Sequence, residues 1–134
     1  MPRLEYYLVS EDVSVDQSTG RLSIFNVLDD VEFDEFPAVI PKLVIVACWI
    51  AEQEEIDEHL DCQAQIQFEM PGGEPGKSFN ANFTVDQKRQ KILYRIGFVP
   101  IQQSGIVRIS LSLSGRPQAS HSISVGLSDA AGGH

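Results

Sequence analysis

Apolar and polar residues alternate along most of this chain, and no segment keeps a helical period for three turns. In residues 60–70 every even-numbered residue is apolar and every odd-numbered residue is polar, and residues 106–114 alternate in the same way. Because successive side chains of a strand point to opposite faces, both segments predict strands with one face in the core. The predicted core residues are Leu60, Cys62, Ile66, Phe68, Val107, Ile109, Leu111 and Leu113.

Six further segments have strand character. Residues 43–50 are apolar on both faces, which is typical of a central strand that is covered on each side. Turn-forming residues separate the segments, most clearly at residues 16–20 and 71–76. Residues 52–58 allow one short helical turn. The other predicted strands span residues 4–9, 21–28, 78–85, 92–99 and 118–125.

About eight short strands without long helical patterns between them predict an all-β domain. We expect an antiparallel two-sheet sandwich, with a closed or partly open β-barrel as the alternative. A chain of 134 residues suits a single domain. We place the sandwich at residues 1–128 and expect residues 129–134, which have no apolar pattern, to form a flexible C-terminal tail.

The chain is acidic, with 10 Lys and Arg against 19 Asp and Glu and a net charge of −9. Because binding to nucleic acid or to anionic lipid depends on Lys and Arg, this balance argues against both partners. The N-terminus carries Glu5 and no apolar run of signal-peptide length, and the longest apolar stretch, residues 43–51, is too short to span a bilayer. We therefore expect a cytoplasmic protein in which Cys48 and Cys62 are reduced core residues.

Four sequence patches carry turn and core positions rather than chemistry. They are GRLSIFNV at 20–27, FPAVIPKL at 36–43, MPGG at 70–73 and the closing hairpin over 105–125. In this combination the chain resembles an uncharacterised family of small bacterial all-β proteins. The resemblance extends over most of the chain and implies the fold and a bacterial, cytoplasmic setting. It implies no activity and no functional residues, because none is established for the family.

Two acidic clusters are the candidates for a metal site. Residues 29–35 contain five carboxylates, and residues 52–58 contain five more. Carboxylate oxygens bind Ca²⁺, but a dedicated calcium loop has an Asp-x-Asp-x-Asp-Gly pattern that neither cluster contains. Successive loops of an antiparallel sandwich lie at alternate ends, so the two clusters should be too far apart to share an ion. We expect solvated acidic loops and no metal ligand.

The motifs of known enzyme classes are incomplete. Residues 72–78 (GGEPGKS) end like a phosphate-binding loop, but Pro71 stands where the first glycine is required, and a strand is predicted to follow. His59, His121 and His134 lack the spacing of a zinc site, and no Gly-x-Ser-x-Gly motif is present. The sequence therefore designates no catalytic, cofactor-binding or metal-ligating residue and no cofactor.

A non-catalytic sandwich module that works through protein contacts is the leading functional hypothesis, with an unidentified protein or a second copy of the chain as partner. Its basis is the doubly apolar strands, together with a serine-rich last strand that lacks the Lys used to block edge strands. The alternatives are a small-ligand or metal-binding sandwich domain and then a hydrolase. The aromatic residues expected in the core or at an interface are Tyr6, Tyr7, Phe25 and Trp49.

Overall fold

A computed structural model describes residues 1–128, which consist mainly of strands. Strands make up 67% of them, which confirms the all-β prediction. The predicted tail at residues 129–134 lies outside the described residues. The strands are β1 (Arg3–Val15), β2 (Leu22–Val27), β3 (Asp30–Phe33), β4 (Ala38–Ile50), β5 (Asp61–Cys62), β6 (Ala64–Glu69), β7 (Pro75–Asn80), β8 (Phe83–Thr84), β9 (Arg89–Ile101), β10 (Gly105–Leu113) and β11 (Arg116–Leu127). The helix α1 spans Gln53–Asp57, and a 3₁₀ turn spans Pro71–Gly73.

The strands form two main sheets that pack face to face. Sheet A has the order β2-β1-β4-β9, and sheet B has the order β3-β11-β10-β6-β7. The short strands β5 and β8 pair separately. Neither main sheet closes into a barrel, so the sandwich prediction is confirmed and the barrel alternative is not. Along residues 1–128 no helix has the length and apolar character needed to cross a membrane.

The described part of the chain contains eleven strands rather than eight, for two reasons. The predicted strand at 60–70 is interrupted at Gln63, and the one at 78–85 is interrupted before Phe83. The short strand β3 was not predicted, and it pairs in parallel with residues 124–127 of β11. The second half of the serine-rich last strand is therefore not the free edge that the sequence suggested.

The main core lies between the two sheets. Seven of the eight predicted core residues are buried, and Leu60 is partly buried against the same cluster. Trp49 of sheet A stacks on Phe83, with ring centroids 5.3 Å apart. The Tyr7 hydroxyl donates a hydrogen bond to the Ile109 carbonyl at 3.2 Å, which links the two sheets. Burial raises the pKa of Tyr7, and it raises the pKa of Tyr94 to about 12.

A second, smaller core lies on the opposite face of sheet A. Val44 and Val46 alternate with the core residues of β4 and so point away from the main core, yet they are only 2% and 0% exposed. Their cover comes from residues 12–25, which we call the distal hairpin. From this hairpin Val13, Leu22 and Ile24 pack into the second cluster. The prediction that residues 43–50 are covered on both faces is confirmed, and the chain itself supplies the cover.

The distal hairpin crosses sheet A diagonally. Its tip residues Thr19 and Gly20 line one depression with Arg89 and Lys91 of β9, the far edge strand of the sheet. At its base, Asp12 accepts a hydrogen bond from the Val13 amide at 2.9 Å and a charged contact from Lys42 at 3.2 Å. The Val13 amide and then Lys42 lower the pKa of Asp12. The contact with Lys42 ties the base of the hairpin to β4.

The two acidic clusters lie at opposite ends of the sandwich, as predicted. Residues 29–35 lead into the start of β4, and residues 52–58 follow its other end. The second cluster forms the predicted helical turn, in which the Glu52 amide donates to Glu55 Oε1 at 2.8 Å. Glu55 Oε2 lies 2.6 Å from the terminal ammonium of Met1. The most buried of these carboxylates thus has a structural role.

Candidate interaction groove

An apolar groove of about 540 Å³ lies where the edge strands of the two sheets approach each other. One wall belongs to β9 of sheet A, and the other belongs to β7 of sheet B and the 3₁₀ turn before it. Its apolar lining includes Phe68, Met70, Pro75, Phe98, Val99 and Pro100. The sequence did not predict that these residues lie together, although Pro75 belongs to the segment 72–78 that resembles a phosphate-binding loop.

In β9 the alternation of inward and outward side chains shifts by one residue. Up to Ile96 the even-numbered residues of β9 face the core, whereas beyond it Val99 and Ile101 do so. The change falls opposite Pro41 of β4, which has no N–H to donate, so the ladder between the two strands lacks a pair at Pro41 and Phe98. The switch brings Gly97 and Phe98 to the surface together.

Phe98 is the most exposed large apolar side chain in residues 1–128, at 78%. Its backbone has φ of 54°, the left-handed region that bulky residues rarely occupy. Such a conformation costs about 1–3 kcal/mol and persists only where surrounding structure imposes it. Strained residues of this kind cluster at functional sites, which makes Phe98 the first candidate for a functional side chain.

The opposite wall is held by local contacts. The Met70 amide donates to the Glu74 carbonyl at 2.7 Å, and Gln103 Nε2 donates to the Pro71 carbonyl at 3.2 Å. Gly76 packs closely against Met70, since a Cβ at position 76 would lie 2.9 Å from Met70 Cγ and Sδ and the methionine side chain would have to move. The groove is therefore bounded by ordered backbone on both sides.

The groove carries one charge of each sign. Glu74 and Lys77 both belong to its lining. Within residues 1–128 neither side chain takes part in an ion pair, whereas Glu5 pairs with Arg89 at 2.9 Å on the far part of β9. That pairing lowers the pKa of Glu5. The groove is locally neutral on a chain whose net charge is −9.

The sequence candidates for chemistry lie elsewhere or have other roles. In the part of the chain that the structure covers, no three His, Cys, Asp or Glu side chains are grouped closely enough to hold a metal ion. Residues 72–78 enter strand β7 rather than a helix, as predicted, and four of them line the groove. The sequence drew attention to residues 72–78 as a possible phosphate-binding loop. It did not indicate the apolar groove, because the residues that complete the groove come from distant strands.

The histidine, the two cysteines and three of the four aromatic residues have the structural roles that the sequence favoured, whereas Phe25 is not in either core. His121 is half-buried, and its Nε2 lies 2.7 Å from the Leu28 carbonyl. Cys48 and Cys62 are unpaired and buried, and burial raises the pKa of both thiols. Trp49 is in the main core and Tyr6 is in the second one, while Phe25 is half exposed on the distal hairpin.

Comparison with known proteins places the chain in a family without an assigned activity. No curated protein matches it. Residues 5–126, which include both sheets and both walls of the groove, match the model of a family of unknown function (DUF6941). The resemblance found in the sequence pointed to an uncharacterised all-β family, and the chain belongs to this family of unknown function.

Proposed function

We propose that this chain is a non-catalytic protein-interaction module and that the groove beside Phe98 is its contact site. The observation that carries the proposal is an aromatic side chain that is 78% exposed, held in a strained backbone conformation, and adjacent to an apolar groove. Aromatic side chains at the centre of an apolar patch are typical anchors of protein interfaces.

The other exposed faces support this choice. The apolar residues of β4 on the outer face of sheet A are covered by the distal hairpin. The outer face of sheet B consists mainly of Ser and Gln side chains from β6, β10 and β11, with an exposed Arg108–Glu69 pair at 3.7 Å. The groove has beside it the most exposed large apolar side chain of residues 1–128, Phe98, which suits it as the anchor for a partner.

Site-specific photo-cross-linking in the native cells tests the proposal. A Phe98→benzoylphenylalanine variant is expected to form protein adducts on irradiation. A Phe25→benzoylphenylalanine variant is the matched control, because Phe25 is a 50% exposed aromatic on the distal hairpin, away from the groove. Adducts of equal yield at both positions, or none at position 98, would contradict the proposal.

A small apolar ligand is the second candidate function, and the volume of the groove favours it. At about 540 Å³ the groove lies within the range of about 300–1,000 Å³ that ligand sites occupy. Native mass spectrometry of the purified protein checks this. A co-purifying small molecule that is lost on Met70→Trp, a change designed to fill the floor of the groove, would support a ligand site.

A further inference from the structure

We infer that the partner at the groove is a second copy of this chain, with Phe98 of each copy inserted into the groove of the other. The inference rests on the proposed function and names its partner. Phe98 is at once a wall of the groove and a protruding side chain. Because the protruding side chain and the groove are adjacent, two copies related by a two-fold axis can each insert Phe98 into the groove of the other. This is the geometry of an isologous dimer.

The strand edges beside the groove favour contact through side chains. Both walls are edge strands, and an extended peptide could in principle add to either one. Pro75 begins β7 and Pro100 lies near the end of β9, and neither residue has an N–H for a new ladder. An inserted aromatic ring needs no such ladder, so the groove suits Phe98 of a second copy better than an added strand.

The groove carries one acidic and one basic side chain, so the grooves of two copies have complementary charges. Two molecules with a net charge of −9 repel each other over most of their surfaces. At the groove each copy offers Glu74 and Lys77, which are unpaired within the described residues. In the proposed dimer Lys77 of one copy pairs with Glu74 of the other, and the two-fold symmetry forms this pair twice. The local neutrality and the opposite charges of the groove thus favour it as the contact between two copies.

Sedimentation velocity of the full chain, from micromolar to millimolar concentration, tests the inference. We expect a monomer–dimer equilibrium in which Glu74→Lys and Lys77→Glu each weaken association about ten-fold, because each puts like charges together twice. The double variant Glu74→Lys/Lys77→Glu should restore the wild-type dimer. The single changes move the net charge in opposite directions, so weakening in both cannot come from net charge.

A Phe98→Gly variant completes the test. Glycine accepts the positive φ, so this variant should fold at least as stably as wild type and yet lose the dimer. Phe25→Ala should keep the dimer. A strictly monomeric wild type, or a double variant as weak as the single ones, overturns the inference. If cross-links from position 98 then reach other proteins, only the identity of the partner is wrong. If they reach no protein, the proposed function is wrong as well.

Discussion

The outer face of sheet A is apolar and must be covered, whereas the outer face of sheet B is polar and can be exposed to water. The outer face of sheet A contains Val44 and Val46 and would expose apolar surface to water if the distal hairpin did not cover it. The outer face of sheet B consists mainly of Ser and Gln side chains and is exposed to solvent. On this face Gln65 Nε2 donates a hydrogen bond to Ser78 Oγ at 2.9 Å. Apolar residues on both faces of a strand therefore indicate that something covers the strand, but the cover can come from the same chain rather than from a partner.

The cover on sheet A removes one reason to expect a protein contact. The doubly apolar strands were a reason to expect an interface, because few helices were available to cover them. The chain covers these residues itself, because the hairpin formed by the end of β1 and by β2 packs over the outer face of sheet A. The case for an interface therefore depends on the groove, where Phe98 is exposed at an energetic cost.

A carboxylate placed on each outer face should give the largest difference between the two sheets. Val46→Asp puts an unpaired carboxylate between sheet A and the distal hairpin, and it should cost at least about 3 kcal/mol of unfolding free energy or prevent folding. Ser122→Asp is the control on sheet B, where it faces Arg108 across the ladder, and it should change stability by less than about 0.5 kcal/mol. Urea denaturation measures both. A stable Val46→Asp variant would mean that the hairpin does not cover the sheet.

Truncations of two valines within the distal hairpin should have smaller effects. Val13 is 7% exposed and faces the second core, whereas Val15 is 47% exposed. Val13→Ala should therefore cost about 1–2 kcal/mol, and Val15→Ala should cost a few tenths. The same denaturation experiment compares them. Equal losses from the two variants would show that the hairpin moves freely above the sheet.

The tyrosines supply the smallest and most local test. Burial raises the pKa of Tyr6, which packs in the second core, as it does for Tyr7 and for Tyr94 in the main core. In an alkaline titration of near-ultraviolet absorbance, no phenol of the native protein should ionise at the ordinary value of about 10. A phenol that ionises there and disappears in Tyr6→Phe would show that the second core is open.

The same shifts give a direction for stability at high pH. Folding favours the neutral phenol, so the folded pKa of Tyr94, about 12, exceeds the unfolded value of about 10. Its stabilising contribution is fully present below about pH 10 and is lost as the pH rises through about 12. Tyr94→Phe removes the hydroxyl, which donates to the Ala81 carbonyl at 3.2 Å, and should flatten this alkaline loss.

The regular alternation allowed much of the fold to be predicted. Residues 60–70 and 106–114 keep one phase, and their inward residues form the main core as expected. The missed elements are those where the phase changes or the strand is short. Strand β4 begins five residues before the predicted start, because the inward position changes from Ile40 to Leu43 around Pro41.

The groove could not be predicted because its walls come from distant parts of the chain. Residues 74–77 and 98–100 meet only when the two sheets pack. One local signal was present, since the phase of the apolar positions reverses between Ile96 and Val99. A reversal inside a strand marks a residue with unusual backbone, but it does not say which residue becomes exposed.

The cover over β4 also bears on aggregation. Residues 43–50 form an uninterrupted apolar run with no charge, Pro or Gly, the composition of a segment prone to cross-β assembly. Strands β1 and β9 occupy both of its edges, and Pro41 and Lys42 precede it as gatekeepers. Loosening of the distal hairpin would uncover one face of this segment while both edges stay paired. Opening of the distal hairpin alone should therefore lead to amorphous aggregation. Fibril formation should require β4 to separate from β1 or β9.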